Sequence, residues 1–263
     1  MSKGMLIDLS KCMGCRGCQV ACKQWNDLPG EQTTVGTEFT NPQNRTAYTW
    51  TIVEFMTAER NGKTVSSFTK TQCMHCLEPA CVSVCIGGAL HKTETGAVVN
   101  DYDKCIGCRY CLLACPFGVP KYEFDKSVPK MQKCTMCYDR IENGWQPACA
   151  ATCPSNAIIF GERDELLAIA RKRIASGGDK YVNHIYGEHE AGGTNVLYIS
   201  SVPLDLTALR QGVTEESVPS FTWKAMKQIP YMLGAVGTIS LGLLAYSNRR
   251  SEIEAANRKE GAK

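Results

Sequence analysis

Cys105-Ile-Gly-Cys108-Arg-Tyr-Cys111-Leu-Leu-Ala-Cys115-Pro116 is the stretch on which the fold turns. Three cysteines stand two residues apart, a fourth follows after three, and a proline comes next. The same grammar recurs three times. The first run is Cys12-x2-Cys15-x2-Cys18-x3-Cys22. The second is Cys73-x2-Cys76-x4-Cys81-x3-Cys85, and the fourth is Cys134-x2-Cys137-x11-Cys149-x3-Cys153-Pro154. All sixteen cysteines of the 263 residues fall in these four runs. The chemistry of the runs therefore accounts for every thiol in the chain.

A cubane of four irons and four sulfides takes one thiolate per iron. Two-residue gaps let three sulfurs of one tight loop converge on three corners. The cysteine three residues further on starts a helix, points away and ligates the other cluster of a pair, as in two-cluster ferredoxins. A proline after Cys115 and Cys153 suits a chain that turns sharply at that ligand. Disulfides fit poorly, because cysteines two or three residues apart have unfavourable bridging geometry. Zinc ribbons use pairs of CxxC rather than four-cysteine runs, and thioredoxin-type sites use a single CxxC. Four [4Fe–4S] clusters are expected. The second and third runs are close enough to share two of them. One would take Cys73, Cys76, Cys81 and Cys115, the other Cys85, Cys105, Cys108 and Cys111. The first and fourth runs would then share the remaining two, one on Cys12, Cys15, Cys18 and Cys153, the other on Cys22, Cys134, Cys137 and Cys149. Pairing the first run with the second, and the third with the fourth, is the alternative, and it places a fifty-residue insertion inside one pair.

The expected architecture is α+β. It comprises two nested ferredoxin-like pseudo-repeats in residues 1–202, a β-hairpin insertion in residues 23–72, and one C-terminal transmembrane helix. In the insertion, residues 48–56 and 64–69 are rich in β-branched and aromatic residues, and Asn61-Gly62 between them marks a tight turn. This hairpin is expected on the surface beside the clusters. A shorter one is expected over residues 90–100, turning at Thr95-Gly96. Strands are expected at residues 157–160 and 196–202. An amphipathic helix is expected over 164–175, with Leu167, Ile169, Ala170 and Ile174 among its apolar positions and Gly177-Gly178 as its stop. There is no phosphate-binding glycine loop and no nucleophile elbow, and the net charge of +3 shows no basic stripe suited to nucleic acid. His184, His189, Glu188 and Glu190 read as a polar loop rather than a metal site. His75, between Cys73 and Cys76, is a candidate for tuning a cluster through a hydrogen bond. With no substrate site of its own, the chain reads as a non-catalytic electron carrier.

Residues 203–227 read as a linker, 228–248 as a charge-free span long enough to cross a bilayer, and 249–263 as a charged tail. Tyr231 and Tyr246 stand where interfacial aromatics belong. Arg249, Arg250, Arg258, Lys259 and Lys263 follow the span, while only Lys224 and Lys227 closely precede it. That asymmetry places the C-terminus in the cytoplasm and the cluster domain in the periplasm. Residues 1–12 carry no signal core and no twin-arginine run, so export alongside a signal-bearing partner is expected. The alternative keeps the cluster domain on the cytoplasmic face. Gly234, Thr238 and Gly242 offer a narrow face to a partner helix.

In order and spacing, the four runs resemble those of the four-cluster iron–sulfur subunits of molybdenum- or tungsten-pterin oxidoreductases. The first run followed by Lys23-Gln-Trp-Asn-Asp27 resembles the β subunit of respiratory formate dehydrogenase. So do Gly187-Glu-His-Glu-Ala-Gly-Gly-Thr194 and the single C-terminal span. The resemblance implies the first-with-fourth and second-with-third pairing. It also implies a molybdopterin-type catalytic subunit, a membrane cytochrome b that meets quinone, and membrane lipid as partners. One departure is that only eleven residues precede Cys12. The equivalent subunit of a membrane-bound hydrogenase is the nearest rival reading, and a structural metal-binding anchor without redox function is the second.

Overall fold

Residues 3–8, Lys-Gly-Met-Leu-Ile-Asp, form the strand that organises the N-terminal part of the chain. This strand, β1 (Lys3–Asp8), lies between β8 (Ile158–Glu162), antiparallel to it, and β9 (Val196–Ile199), parallel to it. Side chains alternate across a strand, so the sheet has two working faces. Met5, Ile7, Ile158, Val196 and Tyr198 face a core that also contains Cys18, Cys22, Cys73, Cys134 and Cys149. Leu6, Leu197 and Ile199 face the other way and pack against a helix, α6 (Arg163–Ser176). The computed structural model describes residues 2–34, 39–60 and 63–260.

The α6 helix forms where the sequence predicts it. Asp164 and Glu165 sit in its first turn and Arg173 in its last, which complements the helix dipole. It ends at Gly177, and Gly178 takes a left-handed conformation at φ +54°, as a helix-stopping glycine does. Leu166, Leu167 and Ala170 are buried, whereas Ile169 lies on the outer face at 38% exposure. Arg173 reaches back across the sheet to the buried Asp8 carboxylate at 3.0 Å.

The insertion folds as an antiparallel hairpin of β2 (Ile52–Arg60) and β3 (Lys63–Thr71), with Ile52 opposite Thr71. Its turn residues Asn61 and Gly62 lie outside the described residues. The hairpin is not a surface appendage. Ile52, Val53, Thr69, Lys70 and Thr71 at its base are buried, while Met56, Thr57, Thr64 and Ser66 farther out are exposed. The base goes inside because Val53 belongs to the cysteine-bearing core and the neighbouring Lys70 is buried with it. The short hairpin β4 (Leu90–Lys92) and β5 (Val98–Asn100) turns through Gly96 at φ +91°, a conformation that glycine adopts without strain. A two-residue pair, β6 (Lys121–Tyr122) and β7 (Met131–Gln132), follows.

The chain divides into two units, Met1–Pro219 and Ser220–Lys263. In the C-terminal unit the helix α8 (Ile229–Glu260) continues beyond the apolar span through the charged tail. There Arg250 pairs with Glu254 at 3.0 Å, one helical turn away. Among the described residues, one helical stretch, Val218–Ala255, is long and apolar enough to cross a membrane. The fold is thus α+β with mixed sheets and one long apolar C-terminal helix that is consistent with a membrane anchor.

Candidate functional site

All sixteen cysteines are free thiols. Five short helices position many of them. These are α1 (Gly17–Trp25), α2 (Ala80–Ser83), α3 (Tyr110–Ala114), α4 (Tyr138–Glu142) and α5 (Ala148–Ala151). The α1 helix packs on α5, and α2 packs on α3. Around α1, α2, α3 and α5 the same spacing appears, namely Cys18 and Cys22, Cys81 and Cys85, Cys111 and Cys115, and Cys149 and Cys153. Residues four apart share a helix face one turn along the axis. Each helix can therefore send one sulfur to each of two adjacent sites.

The sulfurs gather accordingly. Cys12, Cys15, Cys18 and Cys153 line one cavity, together with Ile7, Val53 and Lys70. Cys22, Cys134, Cys137 and Cys149 line a second, with Met5, Trp50 and Gln72. Cys85, Cys105, Cys108 and Cys111 line a third, with Leu90, Tyr122 and Met131. The other four thiols form a fourth group. Burial raises Cys76 well above its ordinary value, and Cys73, Cys115 and Cys81 raise it further. The thiols thus gather in four groups. Strand register explains the most distant of them. Ile7 pairs with Ile158, Cys12 stands five residues after the first and Cys153 five before the second, so the two cysteines come back together.

Each loop curls by placing one residue in the left-handed region just before its second cysteine. These residues are Gly14, His75, Gly107 and Met136, at φ +69°, +48°, +70° and +61°. Such turns aim successive backbone N–H groups inward and make concavities for anions, iron–sulfur sites among them. Several N–H groups already point at sulfur. Leu90 N donates to Cys85 Sγ at 3.3 Å, Met136 N to Cys134 Sγ at 3.4 Å, and Val119 N to Cys115 Sγ at 3.5 Å.

Burial pushes the Cys18 and Cys134 thiols up to about 12 and the Cys137 thiol to about 11. A bare thiolate is thus unfavourable in these sites and requires a cationic partner. Among the described residues no group of three or more His, Cys, Asp or Glu is placed to hold a single metal ion. A lone zinc draws its ligands to about 2.3 Å from one point, whereas these thiols line cavities. The residues therefore fit a multi-iron cluster. His184 and Glu190 bond to each other at 2.7 Å, and Glu190 also accepts from Gly187 N. That set is a loop brace.

Three buried polar side chains beside the cysteines matter. His75 is fully buried, and its Nδ1 accepts from Val98 N at 2.9 Å. Nε2 therefore carries the proton, and it has no partner among the described residues. Burial, with Lys133 and Lys70 nearby, pushes the His75 pKa well down, so the ring is neutral. Lys133 donates to the carbonyls of Val98 and Cys134. Lys70 donates to Gln72 Oε1. Burial alone would lower the Lys70 pKa, but Cys149 and Cys18 outweigh it and hold the pKa above its ordinary value. Sequence reasoning did not find the two lysines. A lysine near the end of a mixed-polarity strand carries no signal that it points inward.

The family model for the 4Fe-4S dicluster domain matches residues 64–163. A protein of Nitratidesulfovibrio vulgaris is 38% identical over all of this chain and 71% of its own length. The formate dehydrogenase-O iron–sulfur subunit of Escherichia coli K12 is 37% identical over 88% of this chain and 77% of its own length. The hydrogenase-2 operon protein HybA of Escherichia coli O157:H7 is 37% identical over 86% of this chain and 80% of its own length. The chain belongs to the 4Fe-4S dicluster family of formate dehydrogenase and hydrogenase iron–sulfur subunits. It is an electron-transfer iron–sulfur subunit with no catalytic reaction of its own.

Proposed function

We propose that the sixteen cysteines hold four [4Fe–4S] clusters in two crossed pairs, and that these form a wire between a molybdenum- or tungsten-pterin catalytic subunit and a membrane cytochrome b that meets quinone. Formate oxidation is the favoured source of electrons. The observation that carries the reading is the helix spacing. Each i, i+4 cysteine pair divides between two neighbouring groups, so every cluster lies one helical turn from its pair partner. This supports two nested ferredoxin-like repeats in residues 1–202.

The order of the wire follows from which thiols act on which. Cys149, of the second cavity, raises Cys18 in the first. Cys73, of the fourth group, raises Cys134 in the second cavity. Cys111, of the third cavity, raises Cys81 in the fourth group. The sequence of sites is then first cavity, second cavity, fourth group, third cavity. Cys15 and Cys108 are the exposed thiols and stand at its two ends. Electrons enter and leave there. When bound, the clusters supply one-electron chemistry, and this chain's residues hold them, order them and exclude water.

Residues 203–227 lead from the cluster domain to a span at 228–248 that anchors the chain, with the tail at 249–263 cytoplasmic and the cluster domain periplasmic. The similarity to HybA supports a second reading, the equivalent subunit of a hydrogenase. Purification of the intact complex from native membranes separates the two. A co-purifying pterin–metal subunit with formate oxidation bears out the first, and a nickel–iron subunit with hydrogen oxidation replaces it with the second.

A further inference from the structure

Lys70 is an ammonium group placed where its charge acts on two cavities at once. It stands near the end of β3 at 1% exposure. Its side chain lines the first cavity, beside Cys12, Cys15, Cys18 and Cys153. Its hydrogen-bond acceptor, the Gln72 side chain, lines the second, beside Cys22, Cys134, Cys137 and Cys149. No carboxylate pairs with Lys70 among the described residues. A buried cation without an anion is strongly disfavoured. The acceptor it does have is a neutral amide, which leaves its charge uncompensated. The arrangement makes sense if the anion is what fills the cavities. A [4Fe–4S] core bound by four thiolates carries net negative charge and becomes more negative by one on reduction.

We propose that Lys70 is the shared counter-cation of the first two clusters, holding both at a higher reduction potential than the same thiolate cages would give alone. This rests on the cysteine groups being cluster sites. On reduction one electron arrives from a neighbouring member of the wire. No bond forms or breaks at Lys70 and no proton moves. The fixed positive charge favours the more negative, reduced cluster by Coulomb attraction, screened less than at the surface because Lys70 is buried. Arg16 is the other cation lining the first cavity, and it stacks on Phe55 with its guanidinium 4.7 Å from the ring centre. Neither Arg16 nor its ring partner Phe55 lines the second cavity, which Lys70 reaches through Gln72, so an effect on both clusters separates Lys70 from Arg16.

The test is an EPR-monitored redox titration of the full chain in its native membrane complex, with iron and acid-labile sulfide measured on the same samples. In Lys70→Met the reduced-to-oxidised ratio of the first two clusters at fixed potential should fall about tenfold, a shift of 59 mV to more negative potential for one electron. The other two clusters should move much less, and Lys70→Arg should stay near wild type. Unchanged potentials in loaded Lys70→Met, or an equal shift of all four clusters, would overturn the proposal. Should Lys70→Met fail to accumulate, Gln72→Glu sets a carboxylate against the ammonium at almost constant volume. It should shift the same two clusters in the same direction, and no shift there also overturns the proposal. A wild-type chain without iron and sulfide would instead remove the cluster assignment on which this inference stands.

Discussion

The first and third cysteine loops differ from the second and fourth in how they make the same turn. At the left-handed position the first and third use Gly14 and Gly107, and the cysteines that follow, Cys15 and Cys108, are exposed. The second and fourth use His75 and Met136, both with no exposed surface. A side chain in that conformation costs about 1–2 kcal/mol relative to glycine, and it persists only where the surroundings over-determine it. The interior loops can therefore use bulky residues, because the core holds them in place. The outer loops place glycine at this position, although Arg16 and Arg109, two residues further on, also take the left-handed conformation, at φ +59° and +67°. Arg16 and Arg109 occupy matching positions in the two outer loops and stack on Phe55 and Phe124 at 4.7 and 5.0 Å. The cysteine loops thus divide into two packed ones and two accessible ones, a division that suits the proposed wire.

That contrast can be broken by substitution. The largest expected effect is that of Cys153→Ala, which should remove the EPR signal of the cluster on Cys12, Cys15 and Cys18 while sparing that of its sequence neighbours Cys134, Cys137 and Cys149. Loss of only the latter would refute the crossed pairing. Met136→Ala should destabilise the loaded chain by about 2–5 kcal/mol, measured by denaturant unfolding, because Met136 has no exposed surface and the vacated space cannot refill. Gly14→Ala should cost less, about 1–2 kcal/mol for the left-handed backbone, provided the Phe55 and Phe68 rings, 3.1 Å from the added methyl, shift by a few tenths of an ångström. Equal losses at the two positions would erase the distinction between packed and accessible loops. A subtler signature is proton uptake. Stripping the clusters at neutral pH should draw protons from solution, because thiols such as Cys18 and Cys134, at about 12, stay protonated once the iron leaves. A pH indicator would report it, and proton release would contradict the dry, thiol-lined cavities.

The cysteine runs were legible in the sequence because their causes are local. Two-residue gaps make the loops, and a four-residue step places sulfurs on one helix face. The return of Cys153 to Cys12 was legible only through pairing logic, and its physical cause, the β1–β8 register, depends on strands 150 residues apart. The burial of the hairpin base was not legible. Thr69, Lys70 and Thr71 read as a polar strand end, and only the core beside them turns that end inward. For the same reason Lys133 gave no sign of its two carbonyl partners. The apolar span was plain from composition. The continuation of its helix to Glu260 was not, because it rests on weak pairs such as Arg250 with Glu254. Exposed pairs of that kind contribute only about 0.3–0.5 kcal/mol each.

On the proposed reading, four cubane clusters and nothing else occupy the thiols of this chain. Iron and acid-labile sulfide analysis of the purified full chain, combined with EPR of the reduced protein, tests it most directly. The expected result is about sixteen iron and sixteen sulfide per chain with four reducible [4Fe–4S] signals. Zinc in place of iron, or fewer than four reducible clusters at full iron occupancy, would contradict it.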